Sequence, residues 1–301
     1  MTHPAENPPH LAAGDLSARI ARLFVYPIKS CAGIEVEEAL LTETGLVFDR
    51  AWMVVDEDMR FVTQRQLPRM ALITPRLRHY DMVLRAPGML ALHVALDAVE
   101  EPVRVTVWDD EVAAYDMGDI AAQWFSDFLG RRLRLVRFDP EHKRLSNQTW
   151  TRGVEAQNQF SDGYPVLVLS QSAVDALNDR LRERGHAAVG VERFRPNIVL
   201  APAEGGAALQ PHAEDHVREL ALATAQGTAR LALVKPCARC EIPNIDPATA
   251  EPQAEPGAAL AGYRSDARLD GAVSFGMNAI VLEGIDTTLR RGAQVEAALD
   301  F

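Results

Sequence analysis

Apolar residues along most of the chain come in short alternating or continuous runs separated by Gly, Pro and Asp, which is the spacing of strands rather than helices. "RIARLFVYPIKS" opens with such a run and stops at Pro27. "AWMVVDEDMRFVTQR" places two β-rich segments around the polar turn Asp56 to Met59, so it predicts a hairpin. "MVLRAPGMLALHV" predicts another, with Pro87-Gly88 as the central pair of a type II turn, and "VRVTVW" at 103–108 adds a strand. Helical spacing is rarer. "DIAAQWFSDFLG" predicts a helix with Asp119 as N-cap, apolar residues at 120, 124, 125 and 128, and Gly130 just past its end. "SQSAVDALNDRLRERG" repeats this logic with Val174, Leu177, Leu181 and Gly185.

The stretch from Pro140 to Asp162 has no periodicity and is expected to link two β-rich units. The second unit is built from the segments 165–169, 194–200, 217–223, 229–235, 275–282 and 293–298. "PATAEPQAEPGAAL", from Pro247, is biased to Ala, Pro and Glu and is expected to be a mobile surface loop. The expected fold is therefore mainly β with a few helices, in the α+β class, with no internal repeat.

Length changes this picture only by setting a scale: 301 residues suit one large domain or two ordinary ones with a core that needs no staples. Three cysteines, Cys31, Cys237 and Cys240, leave an odd one over, and no secretory pattern is present, so a reducing compartment and a cytoplasmic location are expected. The first 18 residues read as a flexible tail, without the basic and apolar parts of a signal peptide. Apolar runs such as "PVLVL" fall far short of the roughly 18 residues of a spanning helix, so no membrane association is expected. A formal charge of −11 argues against nonspecific nucleic-acid binding, and any anion site must be local.

"KPCARCEIPNIDP" carries the most pointed chemistry. Zinc would need a second ligand pair at ribbon spacing, and a thioredoxin-like pair would need a helix that Pro243 and Pro247 forbid. A single thiolate completing the shell of a metal held mainly by an organic cofactor is the third reading. Inert cysteines acting as small hydrophobes remain a fourth. "HAEDH" spaces His212 and His216 four apart, but its acidic residues are misplaced for the protease motif, so surface histidines are expected. Trp52, Trp108 and Trp124 are expected at core positions.

Taken together, "YPIKSCAGI" (26–34), "GLVFDRAWMVVDEDMRFVTQRQLPRMALI" (45–73), "FSDGYPVLVLSQSAVDAL" (160–177), "FRPNIVL" (194–200) and "KPCARCEIPNIDP" resemble the MOSC-domain proteins that carry an N-terminal MOSC β-barrel domain. The amidoxime-reducing type is the nearest likeness, and it covers the chain from about residue 19 onward. The resemblance implies an N-terminal β-barrel-like MOSC domain over 19–139 and a C-terminal MOSC β-barrel domain over 140–301. It implies a molybdenum cofactor whose metal takes a thiolate from Cys240, the soft donor suited to it, with Cys237 as a packing neighbour. Matching cofactor positions are Lys29, Ser30, Arg50, Arg195 and Arg239, with backbone at Gly163 and Tyr164. Arg65 and Arg69 also match, as orienting or entrance residues.

This chain departs from the amidoxime-reducing pattern at Ala238, where Ser is usual, and at Asn278, where Tyr is usual. Gly163-Tyr164 replaces two small hydroxyl residues, so cofactor contacts at these four positions differ. Glu241 and an extra proline reshape the expected substrate mouth, and Asp246 before Pro247 reads first as a turn former and second as a proton donor. The implied activity is reductive removal of oxygen from a small N-hydroxylated or N-oxide substrate. Electrons are expected from a separate flavin or iron–sulfur reductase docking near 247–262. A cofactor or sulfur carrier without turnover, and a structural β protein with inert cysteines, are the alternatives.

Overall fold

The computed structural model describes residues 14–99 and 101–300. Its first half contains β1 (Leu16–Val25), β2 (Ile34–Val36), β3 (Glu38–Thr42), β4 (Gly45–Leu46), β5 (Trp52–Val55), β6 (Thr74–Leu77), β7 (Asp81–Arg85) and β8 (Leu92–Ala95). It continues with β9 (Glu101–Val107), β10 (Asp110–Asp116), α1 (Gly118–Leu129) and β11 (Arg134–Phe138). The second half contains β12 (Val166–Ser170), α2 (Gln171–Glu183), β13 (Ile198–Pro202), β14 (Val217–Thr224) and β15 (Gly227–Ala238). After these come α3 (Gly257–Ala261), β16 (Ser274–Glu283), β17 (Thr288–Arg290) and β18 (Gln294–Leu299).

Seven strands close a barrel in the order β13-β12-β16-β15-β14-β18-β1, and the β1–β13 pairing completes the ring. All neighbours are antiparallel except β12 and β13, whose parallel pairing requires the crossover that α2 supplies. Inward residues fill the barrel, among them Ile20, Leu23, Val168, Leu200, Leu231 and Val295. The first strand of the chain thus belongs by hydrogen bonding to the barrel of the second half, and it ties the two halves together.

The rest of the first half forms two sheets of its own, β5-β11-β10-β9 and β6-β7-β8, while β2 pairs with β1, and β3 with β4 belongs to a third small sheet. A core around Trp52, Phe125 and Phe128 joins α1 to them, and β17 returns from the C-terminal half to pair with β3. Outside the barrel, Val174, Leu177 and Leu181 of α2 pack with Phe24, Phe194 and Phe275.

Several local expectations are corrected. Residues 1–13 of the expected tail lie outside the described residues, but Leu16 to Ala18 are already strand, held by pairing to β18. Met117, not Asp119, is the N-cap of α1; Asp119 lies in the first turn, where it pairs with Arg134. Trp108 is 44% exposed at a left-handed turn, because β9 and β10 reverse direction there. The 247–262 stretch is largely exposed, as expected of a surface segment, but it carries structure of its own: Ile245 bridges to Pro252, and α3 buries Ala259 and Leu260 against the α2 cluster. Its alanines are small enough to seat a short helix on that surface. The 140–162 segment has neither helix nor strand, yet buried Arg144 staples it by donating to Asn158 Oδ1 and to the Gln159 and Ser161 carbonyls.

Candidate cofactor cleft

A cleft of about 250 Å³ opens where the turns after β1 and β4 meet the ends of the barrel strands. Lys29, Ser30 and Arg50 line it from the first half. Gly163, Tyr164 and Arg195 line it from the loops before β12 and β13. Ala238, Arg239, Cys240 and Asn278 complete the wall. All ten residues singled out in the sequence therefore share one hollow, although they come from segments up to 249 positions apart (278 − 29).

Backbone geometry explains how a strand delivers so many of them. A regular strand would send alternate residues of β15 to opposite faces. The β15–β16 register instead shifts between Leu233 and Lys235 and again between Pro236 and Ala238. Such bulges re-aim side chains, so Lys235, Cys237, Ala238, Arg239 and Cys240 all reach the cleft. Ser30, Arg50 and Arg195 adopt left-handed φ of 67°, 50° and 55°. That conformation costs on the order of 1 kcal/mol per non-glycine residue and concentrates at functional sites.

The cations differ in how they are held. Lys29 is 5% exposed, and its ammonium donates to the Phe160 carbonyl at 2.7 Å and to Asp162 at 2.6 Å. Burial lowers the Lys29 pKa, and Asp162 opposes that. Asp162 is itself disfavoured as an anion by its surroundings, but Lys29, Arg50 and Arg65 hold its carboxyl well below the usual range. Arg50 donates to Asp49, to Asn197 Oδ1 at 3.2 Å and to the Arg195 carbonyl at 3.0 Å. Arg195 donates from Nη1 to the Cys31 carbonyl, whereas its buried Nη2 has no partner among the described residues. Burial, with Arg50 close by, pulls the Arg195 guanidinium down to about 10, and Tyr26 opposes that. Arg239 is engaged differently: its nitrogens donate to the carbonyls of Phe275 and Phe194, so it braces the wall.

Cys240 is exposed, Cys237 half-buried and Cys31 fully buried. Burial raises the Cys237 thiol pKa, opposed by Arg239, and pushes Cys31 up to about 12, opposed by Arg195. Cys240 is thus the thiol of the three that solvent and a ligand reach most freely. The buried Tyr164 hydroxyl has no partner among the described residues, and burial pushes its pKa up to about 12. A Cβ added at Gly163 would meet nothing within 4 Å, which leaves the backbone there open to a ligand. Among the described residues, no three His, Cys, Asp or Glu side chains gather to hold a metal.

Of the two further arginines, Arg65 lines the cleft, whereas Arg69 does not and lies over the Phe128 ring at 4.3 Å. Asp246 lies outside the lining, takes a 3.2 Å bond from Arg193 and accepts from the Ala248 N–H, as a turn former does. His216 is exposed, but the expectation fails for His212. Its half-buried ring packs against Tyr263 and Phe275, and burial, with Arg264 and Arg180 nearby, lowers its pKa to about 4.

Sequence reasoning missed Asp162, Asn197 and Lys235, all of which line the cleft. Asn197 is buried and joins three segments, accepting from Arg50 and the Leu167 N–H while donating to the Phe24 carbonyl. Its only signal was adjacency to Arg195 in "FRPN"; Asp162 carried none.

Comparison with known proteins agrees with this architecture. The MOSC N-terminal beta barrel domain matches residues 17–132 and the MOSC domain residues 155–296. Mouse mitochondrial amidoxime-reducing component 1 is 35% identical over 255 residues, covering 81% of this chain and 71% of its own length. The human protein of the same name is 32% identical, covering 81% and 72%. Zebrafish molybdenum cofactor sulfurase is 31% identical over 87% of this chain, which spans only 32% of that longer protein. A closed barrel, a first strand donated from the N-terminal half and a two-part match along the chain place this protein in the MOSC family, as a member with both the MOSC N-terminal beta barrel and the MOSC domain.

Proposed function

We propose that this protein is a molybdenum-cofactor-dependent reductase that removes oxygen from N-hydroxylated or N-oxide compounds with electrons from a separate redox protein. The observation that carries the reading is the convergence of an exposed thiol with a cationic, donor-rich cleft in a chain of net charge −11. The donor set fits a phosphate-bearing, thiolate-ligated cofactor. Arg195 Nη2 and the Tyr164 hydroxyl are buried polar atoms without partners, which is costly unless a ligand engages them. The names of the mammalian relatives point the same way.

When bound, the cofactor supplies two-electron redox chemistry at molybdenum. Cys240 offers the soft sulfur ligand. Lys29, Ser30, Arg50 and Arg195 hold the phosphate and ring system, and Arg239 keeps the segment before Cys240 fixed by bracing it to β16 and to Phe194. In the overall reaction the N–O bond breaks, two electrons and two protons enter, and the amine or amidine leaves with one water. The similarity to the cofactor sulfurase supports a second reading, a carrier that holds the cofactor or a persulfide without turnover.

One experiment separates them. Wild type and Cys240→Ser are purified from cells that make the cofactor, molybdenum is measured, and benzamidoxime reduction is followed with reduced methyl viologen. The reductase reading requires about one molybdenum per chain, turnover, and loss of turnover in Cys240→Ser. Stoichiometric molybdenum without turnover favours the carrier, and a metal-free wild type overturns the reductase and the cofactor carrier alike, leaving only a persulfide carrier.

A further inference from the structure

Each cation of the cleft can be assigned a partner except Lys235. Lys29 pairs with Asp162, Arg50 with Asp49 and Arg193 with Asp246, while Arg195 and Arg239 donate to main-chain carbonyls. Arg65 Nε donates to Thr63 Oγ1 at 3.3 Å and has no carboxylate in salt-bridge contact among the described residues, and the Lys235 ammonium has there neither a carboxylate nor a hydrogen bond. Both are half-buried, whereas Lys29 is deep.

Each of these two cations rests on an indole. The Lys235 ammonium lies 5.2 Å from the Trp150 ring centroid and 6.0 Å from that of Tyr164. The Arg65 guanidinium lies 4.7 Å from the centroid of Trp108, whose ring in turn packs against Phe61. Lys235 comes from the barrel and Arg65 from the first half, so the pairs sit on different halves of the cleft. Rings hold such a charge in place and keep part of its water away without neutralising it. In a chain of charge −11, the unpaired Lys235 ammonium, with Arg65 in the same cleft, makes a local field opposite to that of the whole molecule.

The geometry points to a substrate subsite at this mouth: Lys235, assisted by Arg65, selects N-hydroxylated compounds that carry an anionic group, carboxylate or phosphate, on a flat ring. This rests on the reductase reading and narrows it to a substrate class. Lys235 is a specificity-determining residue, delivered to the cleft by the first bulge of β15. The Tyr164 ring, which lines the cleft beside Lys235, accepts the flat ring, and the cations accept the charge.

The test uses the molybdenum-loaded protein reduced chemically, with no protein donor present. Benzamidoxime is compared with ring-carboxylated and ring-phosphorylated benzamidoxime. The anionic substrates are expected to show a kcat/KM about tenfold higher, expressed in KM, as one charge contact worth about 1.4 kcal/mol would give. The preference should shrink as salt rises from about 50 to about 300 mM. Lys235→Gln should remove most of it, and Lys235→Arg should keep it; preference for one anion over the other identifies the group. The inference is overturned if wild type shows no preference, if Lys235→Gln keeps it, or if that variant loses molybdenum, which would assign the cation to the cofactor. It is also overturned if Lys235→Gln alters only the KM for a protein electron donor. Should no substrate be reduced at all, the reductase reading fails. Calorimetric titration of benzoate against benzamide then decides this inference separately, with tighter benzoate binding lost in Lys235→Gln supporting it and equal binding refuting it.

Discussion

Arg195 sets its guanidinium carbon 4.3 Å from the ring centroid of Tyr26, joining the loop before β13 to the end of β1. Arg50 lies over the same ring at 4.4 Å. A buried phenol therefore keeps two cations from the two halves side by side, against their mutual repulsion. Arg195→Met should remove an unpartnered charged donor from the cleft wall and weaken cofactor retention by about 10- to 100-fold. Molybdenum content after gel filtration checks this. The Tyr26 hydroxyl is buried without a partner among the described residues, so Tyr26→Phe should leave the apoprotein as stable or more stable by up to about 1 kcal/mol in urea unfolding.

Asp162 stands 69% exposed beside a nearly enclosed Lys29. Replacing the carboxylate by an amide leaves the ammonium with neutral acceptors only, the Phe160 carbonyl and the amide oxygen. Asp162→Asn is expected to lower folding stability by about 1–3 kcal/mol, a cost of burying a less compensated charge. Urea midpoints of the two apoproteins measure it.

Gly276 adopts φ of 79° within β16, and a Cβ there would lie 2.8 Å from the Val168 carbonyl oxygen. Backbone cannot yield as a flexible side chain does. Gly276→Ala should therefore destabilise by about 2–3 kcal/mol or more, through both strain and the close approach of β12. A drop in Tm of the apoprotein of about 5 °C or more is the expected reading.

His212 has a folded pKa of about 4 against the ordinary 6.5. Below 6.5 the unfolded chain takes up a proton that the folded chain refuses, so stability present at pH 7 is lost progressively as pH falls from 6.5 to 4. The ring is partly exposed, which limits the loss to about 1–2 kcal/mol. His212→Gln should flatten the pH dependence of the urea midpoint in that window, and an unchanged slope would assign the acid sensitivity elsewhere.

Asp246 and Arg193 test a role rather than an energy. If Asp246 only shapes the turn, Asp246→Asn keeps the acceptor for the Ala248 N–H and should reduce turnover by less than about threefold. A proton donor would cost 10²–10⁴-fold. Arg193→Ala removes the bonds to the Pro243 carbonyl, Asp246 and Gln253 and should make 242–253 more sensitive to limited proteolysis.

Strands and both long helices were legible because each depends on neighbours close in sequence, whereas Cys240 was singled out through the resemblance to the MOSC-domain proteins. Continuous apolar runs marked β5 and β12, alternation marked β9, and the spacing of Val174, Leu177 and Leu181 marked α2. The packing of 247–262 was not legible, since low-complexity composition hides whether a short helix finds an apolar surface. The partial burial of His212 was hidden for the same reason: Tyr263 and Phe275, which cover it, lie 51 and 63 positions away (263 − 212 and 275 − 212).

Local chemistry, then, was written in the chain: where turns fall, which residue types can grip an anion, which cysteine follows a strand and precedes a proline-rich turn. Folding alone decided that β1 closes a barrel whose other strands all lie after residue 165. It also decided that bulges in β15 carry Lys235 and Cys237 to one side, and that some cations receive carboxylates while Arg65 and Lys235 do not. The reason is physical. Secondary structure follows short-range sterics and periodicity, whereas charge pairing, desolvation and bulge placement depend on which distant groups the closed barrel brings within a few ångströms.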